Sequence, residues 1–203
     1  IGSDLPDLPG FAEFGVAAKP LGGFAESWEE FIARRPHAPS LVILGAGVGG
    51  VELAMAASHR LRQTGALPSV TLVDPASSIL QGIGSAPRHA INVELAAAGI
   101  TLRLDQTAER ITQDAVVLSG GDRLPSDFTL SVARARPQPW LRHTGLTLTD
   151  GFVTVGSNLQ SSDAHVFAVG DCAHLSHAPR QKAGVFAVRA AKVLDHNLRV
   201  AFR

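Results

Sequence analysis

Apolar residues along this chain fall into short continuous runs and into longer stretches with helical spacing, and the two kinds alternate. Leu41-Val42-Ile43-Leu44 is an unbroken run, the pattern of a strand buried on both faces. Val51–Ala57 follows with helical composition and Ser69–Val73 is a second run, so residues 40–75 predict a strand–helix–strand unit. A second helix fits Ser85–Ala98 and ends at Gly99, a residue suited to a left-handed cap. Short strands are expected at Ile100–Leu104, Ala108–Thr112 and Ala115–Leu118. The turn Ser119-Gly120-Gly121-Asp122 and the return at Arg123-Leu124 complete a three-stranded antiparallel meander. Phe128–Ala133 is expected to rejoin a parallel sheet. Beyond the break at Pro137–Pro139, strands are expected at Phe152–Val155 and Val166–Val169. Gln181–Phe202 reads as a helix with Val185, Val188, Ala191, Leu194 and Leu198 along one face. Residues 1–39, rich in Pro and Gly, predict an entry loop, one small helix at Phe24–Arg34 and a turn at Pro36–Pro39. Strands alternating with helices make this an α/β chain, its parallel sheet expected to carry helices on both faces.

The first run ends in Gly45-Ala46-Gly47-Val48-Gly49-Gly50, a G-x-G-x-x-G turn between a strand and a helix. Gly45 permits the tight turn, Gly47 lets backbone approach a phosphate, and Gly50 lets helix and strand pack closely. The helix start then presents free N–H groups and the positive end of its dipole to an anion. Asp74 closes the second run, 24 positions after Gly50. A carboxylate there can bind both ribose hydroxyls of an adenosine and would repel a 2′-phosphate, favouring NAD over NADP. The expected fold is thus Rossmann-like and the expected cofactor NAD(H), held by Gly45, Ala46, Gly47, Val48, Gly49, Gly50 and Asp74. The plainer reading of the same residues is a glycine turn that binds nothing.

Composition narrows the function classes. Lys+Arg and Asp+Glu balance at 18 each, which gives no electrostatic case for nucleic acid or an anionic membrane. Mean hydropathy is +0.16 and 45% of the 203 residues are hydrophobic, enough for a real core. The single cysteine, Cys172, excludes an internal disulfide framework and fits a reducing, cytoplasmic setting. No apolar segment reaches the roughly 18 residues of a spanning helix. The start at Ile1 rather than Met suggests a cut or processed piece.

Several stretches, in this order, resemble the FAD-dependent pyridine nucleotide-disulfide oxidoreductases: Gly45–Ala54, Val73-Asp74-Pro75, the meander, Ser131–Pro137, and Val166-Phe167-Ala168-Val169-Gly170-Asp171-Cys172-Ala173. Ile1-Gly2-Ser3 and Lys19-Pro20-Leu21 look like the passage from a flavin domain into an NAD domain. The tail Pro179–Arg189 is similar to type II NADH-dehydrogenase-like proteins, and most of all to the flavoprotein half fused to selenide, water dikinase in some bacteria. The resemblance implies a flavin-domain exit segment over 1–36, an NAD(H)-binding domain over 37–136, and a return into a partial FAD-binding domain over 137–203. It implies that Gly170 and Asp171 line FAD and that Glu52 lies near the nicotinamide, the alternative being a plain helix-surface glutamate. It also sets Arg134 where the family turn has a glycine, and there the side chain either crowds NAD, contacts its phosphates or is a solvated loop arginine. The family's first G-x-G-x-x-G, which grips the FAD pyrophosphate, has no counterpart in this chain, so FAD is expected in the full-length protein. The activity implied is hydride transfer from NADH to FAD and on to a quinone or other acceptor, with the fragment alone inactive. The resemblance also implies a membrane-peripheral placement of the full-length protein.

Other constellations are weaker. Cys172-x-His174-x-x-His177 has metal-like composition but no fourth ligand, so no metal is expected. No catalytic acid, base or nucleophile stands out, and Asp127 reads as a turn residue. The apolar face of the last helix predicts self-association or docking against the missing half of the flavin domain or a fused domain. The rival reading is a non-catalytic module, a nucleotide sensor or partner-docking domain with a degenerate site, in its finer form linked to selenophosphate synthesis.

Overall fold

The computed structural model describes residues 7–34, 36–132, 136–179, 182 and 184–201. Two compact units make up the chain, one within Pro6–Ala133 and one within Arg134–Arg203.

The first unit runs α1 (Phe11–Phe14), β1 (Gly15–Ala17), α2 (Leu21–Ala33), β2 (Ser40–Leu44), α3 (Val48–Gln63), β3 (Ser69–Val73), α4 (Ser85–Ala97), β4 (Ile100–Arg103), β5 (Ala108–Ile111), β6 (Ala115–Leu118), β7 (Arg123–Pro125) and β8 (Phe128–Ser131). Its main sheet has the order β1-β8-β2-β3-β4, every neighbouring pair parallel. The strand period of two sorts the apolar runs between the two faces. Leu41, Ile43, Val70, Leu72 and Leu130 pack with Val51, Ala54, Leu61 and Leu95 of the helices. Val42 and Val73 face the other way and pack with Phe11, Ile111, Val116 and Leu118. The long helices therefore cover one face only. The meander β5-β6-β7 and the one-turn α1 cover the second, where the sequence led us to expect helices. Asp127 is more than a turn residue, because its carboxylate accepts from Ser40 N at 2.8 Å and its N–H donates to Ser40 O at 2.7 Å. These bonds tie the starts of β2 and β8 together.

Two elements of this unit differ from the expected pattern. The entry segment holds a strand, β1, paired with β8 through Gly15↔Thr129, Val16↔Leu130 and Ala17↔Ser131, where only a loop was expected. The small helix begins at Leu21 rather than Phe24; Phe24 stacks on Trp28, while Trp28 meets Phe128 edge-on and Phe31 packs tilted against both.

The second unit holds β9 (Leu148–Thr149), β10 (Phe152–Val155), β11 (Ala173–Leu175) and α5 (Gly184–Ala201), with 3₁₀ turns at Pro139–His143 and Gly170–Cys172. The strand expected at Val166–Val169 does not form. Phe167 makes one isolated antiparallel bridge with Gln160, and Val153–Val155 pairs instead with Ala173–Leu175, in parallel. The core is Leu141, Val153, Val155, Leu159, Ala168 and Ala173, against which Ala190 and Leu194 of α5 pack. The expected apolar stripe of that helix splits: Val185 and Val188 are exposed, while Leu194 faces the core. Among the described residues no helix is long and apolar enough to cross a membrane.

Candidate functional site

The turn from β2 into α3 is shaped by its glycines. Gly45 sits at φ 110°, a conformation that side chains disfavour. A Cβ at Gly50 would lie 1.8 Å from the Gly45 carbonyl oxygen, so only glycine lets the first turn of α3 rest on the end of β2. At Gly49 a Cβ would meet Val132 Cγ1 at 3.1 Å, but at Gly47 it would meet nothing within 4 Å. Gly47 is exposed and caps α3 in an extended conformation, with no side chain bonded to the helix start. The first N–H groups of this 16-residue helix thus lie beside open space, with no capping side chain competing for an anion.

Asp74 is built into the same corner. Its Oδ2 accepts from Ala46 N at 2.6 Å and its Oδ1 from Ala76 N at 2.8 Å, so the carboxylate that ends β3 holds the glycine turn directly. The Ala46 carbonyl in turn accepts from Leu80 N at 2.9 Å. Leu80 is buried at φ 53°, a costly conformation for a leucine, held by a loop that keeps the turn in one place. Each Asp74 oxygen has two lone-pair sites and spends one on backbone. Acceptor capacity for two hydroxyls therefore remains on a half-buried carboxylate. The structure brings together Gly45, Ala46, Gly47, Val48, Gly49, Gly50 and Asp74. Glu52 is exposed on α3, one turn in from its start at Val48. Arg134 lies outside the described residues, as do Ile1-Gly2-Ser3.

Sequence reasoning missed Gln106. Its N–H donates to the Asp74 carbonyl at 3.2 Å, and its side-chain Oε1 is buried without a partner among the described residues. A lone glutamine in a loop carries no periodic or motif signal by which it could have been found.

In the second unit, Gly170 takes φ 71° at the start of its 3₁₀ turn, and a Cβ there would press on Ala187 Cβ at 3.3 Å. Gly170 lines a cavity of about 400 Å³ together with His174, His177, Lys182 and Arg189. The Lys182 ammonium donates to the Ala173 carbonyl and stands 4.1 Å from the centre of the Phe152 ring. Burial pulls Lys182 below its ordinary pKa, against the opposing pull of Asp171 and Cys172. Cys172 is half-buried and its thiol donates to the Val169 carbonyl at 3.3 Å.

The family model "pyridine nucleotide-disulphide oxidoreductase" matches residues 3–191. The nitric oxide reductase FlRd-NAD(+) reductase of Aeromonas hydrophila is 33% identical over 143 residues, which are 67% of this chain and 35% of that protein. The putidaredoxin reductase CamA of Pseudomonas putida is 28% identical over 141 residues, 66% of this chain and 32% of that protein. The chain thus spans about a third of the length of these curated relatives. The solved structure of water-forming NADH oxidase from Lactobacillus brevis bound to NADH superposes with a TM-score of 0.77 at 22% identity. That match covers 97% of this chain and 44% of the other, and it carries the fold.

Proposed function

From the premise that this chain belongs to the pyridine nucleotide-disulphide oxidoreductase family, we propose that it is the NAD(H)-binding part of an FAD-dependent oxidoreductase. The observation that carries the proposal is the corner where an uncapped helix start, an open Gly47 and the Asp74 carboxylate meet. These residues fit a dinucleotide. The N–H groups at the start of α3 suit the pyrophosphate, the bare Gly47 leaves room for it, and Asp74 suits the adenosine ribose. Because Asp74 is a carboxylate and the following Pro75 has no N–H to offer, a 2′-phosphate is disfavoured and NADH is the expected form.

In this reading, Val48, Gly49 and Gly50 orient the cofactor through backbone, and Glu52 stands one turn into α3 toward the nicotinamide half. Arg134 is assigned to the turn facing the dinucleotide. Gly170 and Asp171 of the second unit are assigned to FAD, which supplies hydride acceptance from the nicotinamide when bound. The limits of 37–136 for the NAD(H) part and 137–203 for the flavin part follow the same assignment, while β1 and α2 of the segment 1–36 go with the NAD(H) part, whose sheet and core they join. The tail Pro179–Arg189 supports the finer placement near type II NADH-dehydrogenase-like proteins and the flavoprotein fused to selenide, water dikinase. It makes a quinone or comparable carrier the expected final acceptor.

The test is anaerobic addition of NADH to the protein expressed with its whole reading frame. Loss of flavin absorbance, abolished by Gly47→Val, is the expected result. Binding of NADH with no flavin reduction would favour the non-catalytic sensor or docking module instead.

A further inference from the structure

We propose that a cavity between α2 and α3 binds a medium-chain monocarboxylate, its acyl chain laid over the sheet and its acid group on Arg60. None of the residues of the nucleotide corner lines this cavity, and the inference does not rest on the NAD(H) reading. The cavity has a volume of about 190 Å³ and lies within the first unit. Its floor is two neighbouring cross-strand pairs of β2 and β8, Leu41↔Phe128 and Ile43↔Leu130. Phe24 and Trp28, one turn apart on α2, form one wall. Leu53, Ala56 and Arg60 form the other, and their spacing puts them on one face of α3. Alanine at 56 leaves this wall short. Ala56 and Arg60 are both exposed, so the cavity is open to solvent along α3.

The lining selects the ligand. Arg60 is its one polar residue, and that guanidinium has no partner among the described residues. No carboxylate lines the cavity, so the charge at its mouth is a single uncompensated positive one. A guanidinium holds a carboxylate through two parallel N–H···O bonds. An apolar space with one cation at its edge therefore complements an amphiphile with one acid group.

Size narrows the choice further. A dry cavity of about 150 Å³ takes one benzene, whereas a stable protein interface buries at least about 1,200 Å². A space of about 190 Å³ thus fits a small molecule and not the face of a second chain. Leu53 and Arg60 stand about 10 Å apart along the axis of α3, a span matched by a straight chain of about eight carbons.

Trp28 is one of two tryptophans, and the other, Trp140, lies in the second unit. In the full chain carrying Trp140→Phe, tryptophan fluorescence therefore reports the cavity alone. Titration with butanoate, hexanoate and octanoate should give saturable changes, the affinity rising about four-fold per added methylene. Octanamide, equally long but uncharged, should bind about five-fold more weakly, the size of a well-formed exposed ion pair. Arg60→Gln should erase that preference, and Ala56→Leu, which fills the cavity, should abolish the response. Both positions are exposed, so thermal unfolding should show neither variant less stable than the reference chain. No saturable response, equal affinity for the three acids, or a response that survives Ala56→Leu overturns the cavity as a site. Equal affinity for octanoate and octanamide, or a preference that Arg60→Gln leaves intact, overturns the assignment of the acid group.

Discussion

Gly47 and Gly50 lie three residues apart in one motif, and the structure gives them opposite duties, which a pair of alanine substitutions separates. At Gly50 the added methyl would sit 1.8 Å from the Gly45 carbonyl oxygen, with Leu72 Cδ2 at 3.7 Å behind it. Ordinary contact begins well beyond 3 Å, so α3 must move off β2 by more than an ångström or the turn must distort. Overpacking of this kind costs about 1–3 kcal/mol, and because backbone rather than a flexible side chain is in the way, the upper half of that range applies. Removing a glycine from a helix returns up to about 1 kcal/mol. A net loss of about 1–2 kcal/mol remains, or roughly 2–8 °C in Tm for a chain of this size. At Gly47 the methyl enters open space at an unstrained φ of −72°, so stability should change by no more than about 0.5 kcal/mol. The same methyl occupies the proposed approach to the pyrophosphate, and NADH affinity should fall about ten-fold or more, equivalent to about 1.4 kcal/mol. Urea unfolding followed by circular dichroism measures the first quantity and calorimetric titration the second. The reasoning is refuted if Gly47→Ala unfolds as easily as Gly50→Ala, or if it binds NADH as well as the parent.

Three further outcomes follow from particular contacts. Asp74→Ala should weaken NADH binding far more than NADPH binding, because hydrogen bonds to a charged group contribute about 1.5–3 kcal/mol; equal losses would remove Asp74 from the ribose. Val188→Glu, at a position 74% exposed on α5, should leave Tm unchanged and reduce concentration-dependent self-association in sedimentation velocity; unchanged association would place the contact elsewhere. Lys182 is pulled below its ordinary 10.5 chiefly by burial, so between the two values the unfolded chain holds more protons than the folded one. Stability of the second unit should therefore rise with pH through that window, and Lys182→Met should flatten the rise; a parent curve already flat or falling there would contradict the assignment.

The glycine turn, its strand and helix, and the acid at the end of the next strand were legible because each is a local pattern. An apolar run, glycines at fixed offsets and a carboxylate after a second run need no knowledge of the rest of the chain. The meander was legible from its Gly-Gly turn and three short runs. What depends on pairing partners was not. Val166–Val169 has the composition of a strand, but its backbone goes elsewhere: Ala168 N bonds Leu159 O, Val166 N bonds Asp163 O, and Ala173–Leu175 takes the place beside β10. Gly15-Val16-Ala17 has no strand signal, yet the free edge of β8 recruits it. On α5 the valines offer helical spacing on a face turned to solvent, while Ala190, Leu194 and the Asn197 amide bonded to Asn158 O mark the packed side. Of the candidate site, everything carried by a motif was visible, and Gln106, which gains meaning only from its bond to Asp74, was not.

Whether the corner at Gly47 and Asp74 holds NAD(H) is tested most directly by calorimetric titration of NADH into the chain. We predict saturable binding at one site per chain, tighter for NADH than for NADPH and lost in Gly47→Val. The absence of saturable heat up to millimolar NADH, or binding that Gly47→Val leaves untouched, would contradict it.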